Sequence, residues 1–219
     1  MDKNNLNTQI AQLRKEYTAQ QLTEENVNKS PFIQFEKWFY EAMNVYSFDA
    51  NAMMLSTVSK EGNPSSRIVL LKSFDETGFT FFTNYHNNKG RNIEQNYFVS
   101  LSFFWMLIER QVHINGIAKK ISNEASDDYF ASRPFESQIG AWASKQSQKI
   151  ENRAVIDEKY MALKKQYENK TVPRPPYWGG FLVEPSSIEF WQGRASRLHD
   201  RILFEKYENN EWGISRLSP

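Results

Sequence analysis

The sequence predicts a mainly β protein with flanking helices, an α+β chain whose antiparallel strands form a barrel or sandwich. Three observations predict it. Five β-type segments follow one another between residues 52 and 121, separated by short turn signals and one short helical stretch. Three more strand regions close the chain after residue 180. Helical periodicity is confined to stretches around these runs.

The elements follow in order. Asn5–Gln21 carries Leu6, Ile10, Leu13 and Tyr17 at loosely helical spacing and is polar elsewhere, so residues 1–25 read as a mobile arm. A stronger helix begins near Pro31, a favoured first-turn residue, with Phe32, Phe35, Trp38, Phe39, Ala42 and Met43 along one face. Ala52–Val58, Ser66–Ser73, Gly78–Thr83, Phe98–Phe104 and Arg110–Ile121 read as strands; "KEGNP", "DETG" and "NYHNNKG" separate some of them. A short helix is expected over Asn92–Asn96. Ser122 is a natural N-cap for a helix reaching about Ser132, with Pro134 as its stop. A long helix is expected from about Ser147, before the Pro/Gly-rich "KTVPRPPYWGG". The closing strands are Phe181–Val183 with Ser187–Trp191, then Arg197–Tyr207, then Trp212–Leu217.

Composition bounds the function. The 219 residues suffice for one domain with a full core and are short for two, so residues 1–219 are expected to form a single domain. A formal net charge of +1 offers no bulk basic field for nucleic acid or an anionic membrane. The absence of Cys excludes disulfides, thiolate metal sites and cysteine nucleophiles, and fits the cytoplasm. The three His match no metal-site spacing, and no dinucleotide-binding glycine motif, phosphate-binding P-loop or GxSxG nucleophile elbow occurs. No metal is expected.

Several short stretches carry groups suited to anions. In "SSRIVLLKSF", Ile68, Val69, Leu70 and Leu71 resemble a strand buried on both faces; Arg67 and Lys72 bracket it as solvated rims or as phosphate contacts. A strand ending at Thr83, a Gly/Asn loop and Lys89 before a short helix make a plausible phosphate cradle or a plain turn. Tyr129 and Arg133 share a helical face, with Ser137 just beyond. Gln146 and Ser147 stand at the mouth of the expected long helix, where Ser147 can equally be a cap. Gln111 sits inside an apolar strand and needs a partner. In "GRASRLHDR", Arg197, His199 and Arg201 alternate, so on a strand they share one wall. Such crowded cations call for an anionic or electron-rich neighbour, or for carboxylates on the next strand.

Together the stretches "LRKEYT", "RIVLLK", "IEQN", "ERQV", "YFASRP", "SQIGAWASKQS", "WGGF", "IEFWQG" and "RLHDR" are similar, in order and over nearly the whole chain, to the pyridoxine (pyridoxamine) 5′-phosphate oxidase family. The resemblance implies an FMN-binding split β-barrel homodimer with the flavin at the subunit interface. It implies FMN contacts from Arg67 through Lys72, Phe82, Thr83, Asn88, Lys89, Gln111, Gln146, Ser147, Trp191 and Arg201. It implies a substrate-phosphate grip of Lys72, Tyr129, Arg133 and Ser137. Arg197 and His199 would lie beside the substrate ring as the catalytic pair, and Arg14 and Tyr17 would cover it; Asp49 matches a position near the active site. The implied reaction converts pyridoxine or pyridoxamine 5′-phosphate to pyridoxal 5′-phosphate, with oxygen reduced to hydrogen peroxide. Two departures stand out: Phe82 where the family often has Tyr, and Asn88 where it often has a basic residue. A split-barrel flavoprotein with another substrate, or a non-catalytic B6-vitamer binder, would share many of these features.

Overall fold

The computed structural model describes residues 3–13 and 16–219. Helix α1 spans Lys3–Gln12 and α2 spans Pro31–Val45. The Ser30 side chain accepts the Ile33 N–H, and Pro31 occupies the first turn, so α2 starts where the sequence places it. Its apolar face buries Phe32, Phe35, Trp38 and Ala42. The strands are β1 (Ala52–Val58), β2 (Pro64–Leu70), β3 (Ser73–Asp75), β4 (Gly78–Asn84), β5 (Phe98–Trp105), β6 (Arg110–Lys120), β7 (Trp178–Gln192), β8 (Asp200–Lys206) and β9 (Trp212–Arg216). The remaining helices are α3 (Asn88–Gln95), α4 (Asn123–Ala131), α5 (Phe135–Ala143) and α6 (Ala154–Gln166).

All strand pairs are antiparallel, in the order β2-β1-β5-β6-β7-β4-β3, with β8 on β7 and β9 on β8. Strand β7 binds three neighbours. Its first part pairs with β4, its last part with β8, and β6 runs beside it with a register shift at Asn115/Gly116. A side chain at Gly116 would place Cβ 2.2 Å from the Glu184 carbonyl oxygen, so the close approach at this bulge demands glycine. Phe35 lies at the centre of the core, with ring centroids 4.8 Å from Phe74, 4.9 Å from Phe79 and 5.2 Å from Phe103. Burying each such ring is worth about 2–3 kcal/mol. A smaller cluster of Phe130, Ile139, Val172 and Trp178 anchors α4, α5 and α6 to the sheet.

Local expectations need correction at several places. The two strands expected over 181–191 are one strand, because the bulge bends β7 without ending it. Pro134 ends α4 but also caps α5, where its fixed φ suits a helix entry. The long helix begins at Ala154 rather than Ser147, whose φ of 71° is left-handed. The short helix begins earlier, at Asn88, because Asn87 caps it by accepting the Gly90 N–H. Ile68–Leu71 is not buried on both faces: Leu71 is buried, but Ile68 is 59% exposed and Leu70 39%, on a sheet face that also leaves the neighbouring Met54 exposed.

The strand expected over Arg197–Tyr207 begins only at Asp200. Ala195–Arg197 forms a 3₁₀ turn in which Ser196 and Arg197 have φ of 58° and 62°, outside any extended conformation. Arg197, His199 and Arg201 therefore do not alternate along one strand.

Candidate functional site

Most of the predicted residues fall into three groups, while Ser147 lines a further cleft that it shares with Gln146. The first lines a cleft of about 470 Å³, where Ile68, Val69, Leu70 and Lys72 meet Phe82, Thr83, Lys89, Tyr129, Arg133, Ser137 and Gln146. Strand β4 ends at this cleft, and α3 starts beside it, so Thr83 and Lys89 converge. Lys89 Nζ donates to Thr83 Oγ1 at 3.2 Å. Burial, and then the neighbouring Arg67 guanidinium, lower the Lys89 pKa to about 8. Arg67 reaches only neutral acceptors: the Leu55 carbonyl at 3.3 Å, Thr57 Oγ1 at 2.8 Å and Ser65 Oγ at 2.6 Å. Among the described residues, neither cation has an acidic partner.

Asn87, fully buried, organises this corner and is absent from the residues picked from sequence. Its Nδ2 donates to Thr83 Oγ1 at 2.9 Å and to Gln146 Oε1 at 2.7 Å, while its Oδ1 caps α3. The available signal was an Asn three residues before Gly90, a capping pattern. Asn88 instead accepts from Arg91 Nη2 at 2.8 Å.

Across the cleft, the Arg133 guanidinium lies 4.6 Å over the Trp178 ring. Its Nη1 is buried with no partner among the described residues, and burial lowers its pKa. Gln138 clasps the α4–α5 corner by donating to the carbonyls of Phe130, Ala131 and Arg133. Tyr129 stacks on Phe82 with centroids 3.8 Å apart, and Phe82 stacks in turn on Trp178 at 5.5 Å. Phe82 thus contributes its ring to the cleft. Trp178 was also missed, since "YWGG" reads as a linker. Lys72 borders both this cleft and an adjoining one of about 680 Å³ that contains Asp49.

The second group lines a separate cleft of about 720 Å³ containing Tyr17, Arg194, Arg197 and His199. The His199 ring lies 4.5 Å from that of Trp191, and Tyr17 meets both edge-on at 5.6 and 5.7 Å. The Arg194 N–H donates to His199 Nδ1 at 3.1 Å, which assigns the neutral ring's proton to Nε2. Burial and then Arg197 lower the His199 pKa, against an opposing pull from Asp200, so the ring is neutral at pH 7. Asp200 fixes the turn by accepting from Arg194 Nη1 at 2.9 Å, Arg216 Nη1 at 2.9 Å and the Leu22 N–H at 3.1 Å. The Thr18 and Ala19 N–H groups donate to the buried Glu109 carboxylate at 2.8 and 3.0 Å, which docks residues 17–22 beside the turn. Arg14 lies outside the described residues.

The third group is a row across the sheet: Gln111 on β6 faces Trp191 on β7, which faces Arg201 on β8. Arg201 is not an unpaired cation. Its Nε and Nη2 donate to Glu189 at 2.7 and 3.1 Å, the carboxylate-paired alternative for this strand.

Chemically, the first cleft offers desolvated cations and hydroxyls to phosphate, and the second a neutral imidazole, a guanidinium and aromatic edges to a flat ring. Comparison with known proteins bears on what they serve. Residues 41–167 match the family model described as pyridoxamine 5′-phosphate oxidase, and residues 178–219 match the pyridoxine 5′-phosphate oxidase C-terminal dimerisation region. A pyridoxine/pyridoxamine 5′-phosphate oxidase of Gloeothece citriformis is 52% identical over 210 residues, covering 96% of this chain and 98% of that protein. One from Paraburkholderia phytofirmans is 49% identical over 213 residues, covering 97% and 100%. Among solved structures, PhzG from Burkholderia lata, in complex with tetrahydrophenazine-1-carboxylic acid, superposes with a TM-score of 0.84 at 26% identity, covering 90% of this chain and 98% of that one. A pyridoxamine 5′-phosphate oxidase-related, FMN-binding protein from Nostoc punctiforme shares the fold at a TM-score of 0.70 and 15% identity, covering 88% and 100%. With half its sequence shared along almost its entire length, the chain belongs to the pyridoxine/pyridoxamine 5′-phosphate oxidase family.

Proposed function

We propose that the chain, as a cytoplasmic homodimer, uses FMN to oxidise pyridoxine and pyridoxamine 5′-phosphates to pyridoxal 5′-phosphate, with oxygen reduced to hydrogen peroxide. Residues 1–219 act as one domain, and residues 1–25 as its covering arm. Among the described residues, no helix is long and apolar enough to cross a membrane. The observation that carries the reading is the pair of cation sites on one cleft, Lys89, with Arg67 close behind it, and Arg133 with Lys72; among the described residues Lys89 has no acidic partner and Arg133 Nη1 no hydrogen-bond partner. Two phosphates, one from each reactant, satisfy both.

This donor set fits FMN. Arg67, Lys89, Thr83, Gln146 and Ser147 would hold its phosphate, with Ile68–Leu71, Lys72, Phe82 and Asn88 alongside. Gln111, Trp191 and Arg201 would meet its ring. When bound, FMN supplies the acceptor for the hydride leaving the substrate C4′. Lys72, Tyr129, Arg133 and Ser137 grip the substrate phosphate and so fix where C4′ lies, an orientation gain of several kcal/mol. His199, neutral and protonated at Nε2, donates a hydrogen bond toward the substrate's phenolic oxygen, and Arg197 adds positive charge beside the ring. Tyr17, with Arg14, shields that ring from water.

The first and second groups occupy different clefts of one chain, so this division of labour calls for a second copy. Ile68, Leu70, Met54 and Phe104 are exposed on the sheet and supply an apolar surface for it. The C-terminal region matched to a dimerisation model supports the same arrangement. The test is to purify the protein, record its flavin spectrum and add pyridoxine 5′-phosphate without oxygen. Bleaching that air reverses, and that unphosphorylated pyridoxine barely produces, is the expected result. A colourless protein, or equal bleaching by both alcohols, overturns the proposal.

A further inference from the structure

Behind the row Gln111–Trp191–Arg201 lies a second row on the same sheet face, Ser102–His113–Glu189, in register on β5, β6 and β7. Each polar member of the first row is held by a member of the second. Glu189 binds Arg201 through two hydrogen bonds. His113 is hydrogen-bonded at both ring nitrogens: Nδ1 to Ser102 Oγ at 2.9 Å and Nε2 to Gln111 Oε1 at 3.1 Å.

The chemistry of these atoms fixes their roles. An amide oxygen only accepts, so His113 Nε2 donates its proton to Gln111. In the neutral ring Nδ1 then carries a lone pair, which accepts the Ser102 hydroxyl proton. The Gln111 amide is thereby held by its oxygen, and its Nε2 hydrogens have no partner among the described residues. A half-buried glutamine side chain otherwise turns among rotamers and can flip its amide. Bound this way, it presents a fixed pair of donors.

We infer that His113, backed by Ser102, is a positioning residue that locks Gln111 in the orientation in which its amide N–H groups meet an acceptor edge of the flavin ring. This inference rests on the reading of Gln111 as a flavin contact. His113 touches neither reactant; it acts through Gln111.

The test titrates FMN into flavin-free full-length protein, following flavin fluorescence, the visible absorption band and the melting temperature. Gln111→Leu tests the underlying contact and should raise the FMN Kd about fivefold, the scale of one hydrogen bond. His113→Leu should match that rise and shift the flavin band, with the melting temperature unchanged. The double variant should bind no worse than Gln111→Leu alone, since both remove the same bond. His113→Gln, which can donate to Gln111 and accept from Ser102, should restore most of the affinity, and Ser102→Ala should cost about twofold. Wild-type affinity and spectrum in His113→Leu beside a weakened Gln111→Leu overturn the inference alone, as do additive losses in the double variant. An unaffected Gln111→Leu overturns the flavin contact and the inference together. If His113→Leu fails to fold, Ser102→Ala and the His113→Gln spectrum decide by the same criteria.

Discussion

The two clefts hold their cations in opposite ways. Around Lys89 and Arg133 the charges are desolvated and, among the described residues, lack acidic partners, fixed by strand ends, helix caps and stacked rings. Around Arg197 and His199, the neighbouring charges Arg194 and Arg216 are already neutralised by Asp200, and the turn is held by tertiary hydrogen bonds rather than by an element of its own. An anion entering the first cleft relieves an existing penalty, so that cleft is built for affinity. Nothing comparable is relieved in the second, which is built to orient. Binding and reaction rate should therefore respond to different residues.

The largest effect should come from Arg67→Ala, which removes the cation that acts on Lys89 beside the first cleft. At about 1.5–3 kcal/mol the FMN Kd should rise by roughly 10- to 100-fold, with flavin reduction in the loaded enzyme changed far less. Fluorescence titration and anaerobic stopped-flow measure the two. Arg197→Ala should do the reverse, slowing flavin reduction about tenfold while the FMN Kd stays within about twofold. Equal losses of both kinds in both variants would erase the distinction between the clefts.

The pH dependence sharpens it. Lys89, with its pKa lowered to about 8, is charged below that pH, and a bound phosphate favours the charged form. FMN affinity should hold between about pH 6, where the phosphate takes its second charge, and pH 8, then fall by up to about tenfold per unit. Lys89→Met should flatten that alkaline limb in a titration of FMN binding. The smallest effect should come from Gly193→Ala. The added Cβ would sit 2.8 Å from Tyr17 and displace its ring. The substrate KM should rise about threefold, a fraction of one contact, with FMN affinity intact; steady-state kinetics decide.

The same contrast explains what the sequence made legible. Lys72, Lys89, Tyr129 and Arg133 lie on or beside regular elements, where spacing translates into direction, and they do line one cleft. The antiparallel pairing was legible too, from the short turns of β1–β2, β3–β4 and β5–β6, whereas the β1–β5 and β4–β7 pairings were not. Arg197 and His199 were misplaced on a strand because two non-glycine residues there adopt positive φ, in a turn held by local bonds from Arg194 to His199 and Asp200 and by the distant Leu22 N–H on Asp200. The Glu189–Arg201 ion pair depends on β7 lying beside β8, and Asn87 on Gln146 arriving from 59 residues away. Trp178 was hidden for a related reason: its role as a platform exists only after β4, α4 and β7 have come together.

Strand β7 reaches into both regions, with Trp178 at its start and Trp191 near its end. It also leaves the ribosome after β1 to β6. A nascent chain that has not yet reached β7 already owns Arg67, Lys89 and Arg133, yet it has no plank for Arg133 to rest on and no partner for the inner edges of β4 and β6. The unfinished chain therefore carries open sheet edges that invite chaperone attention until residues 178–192 arrive.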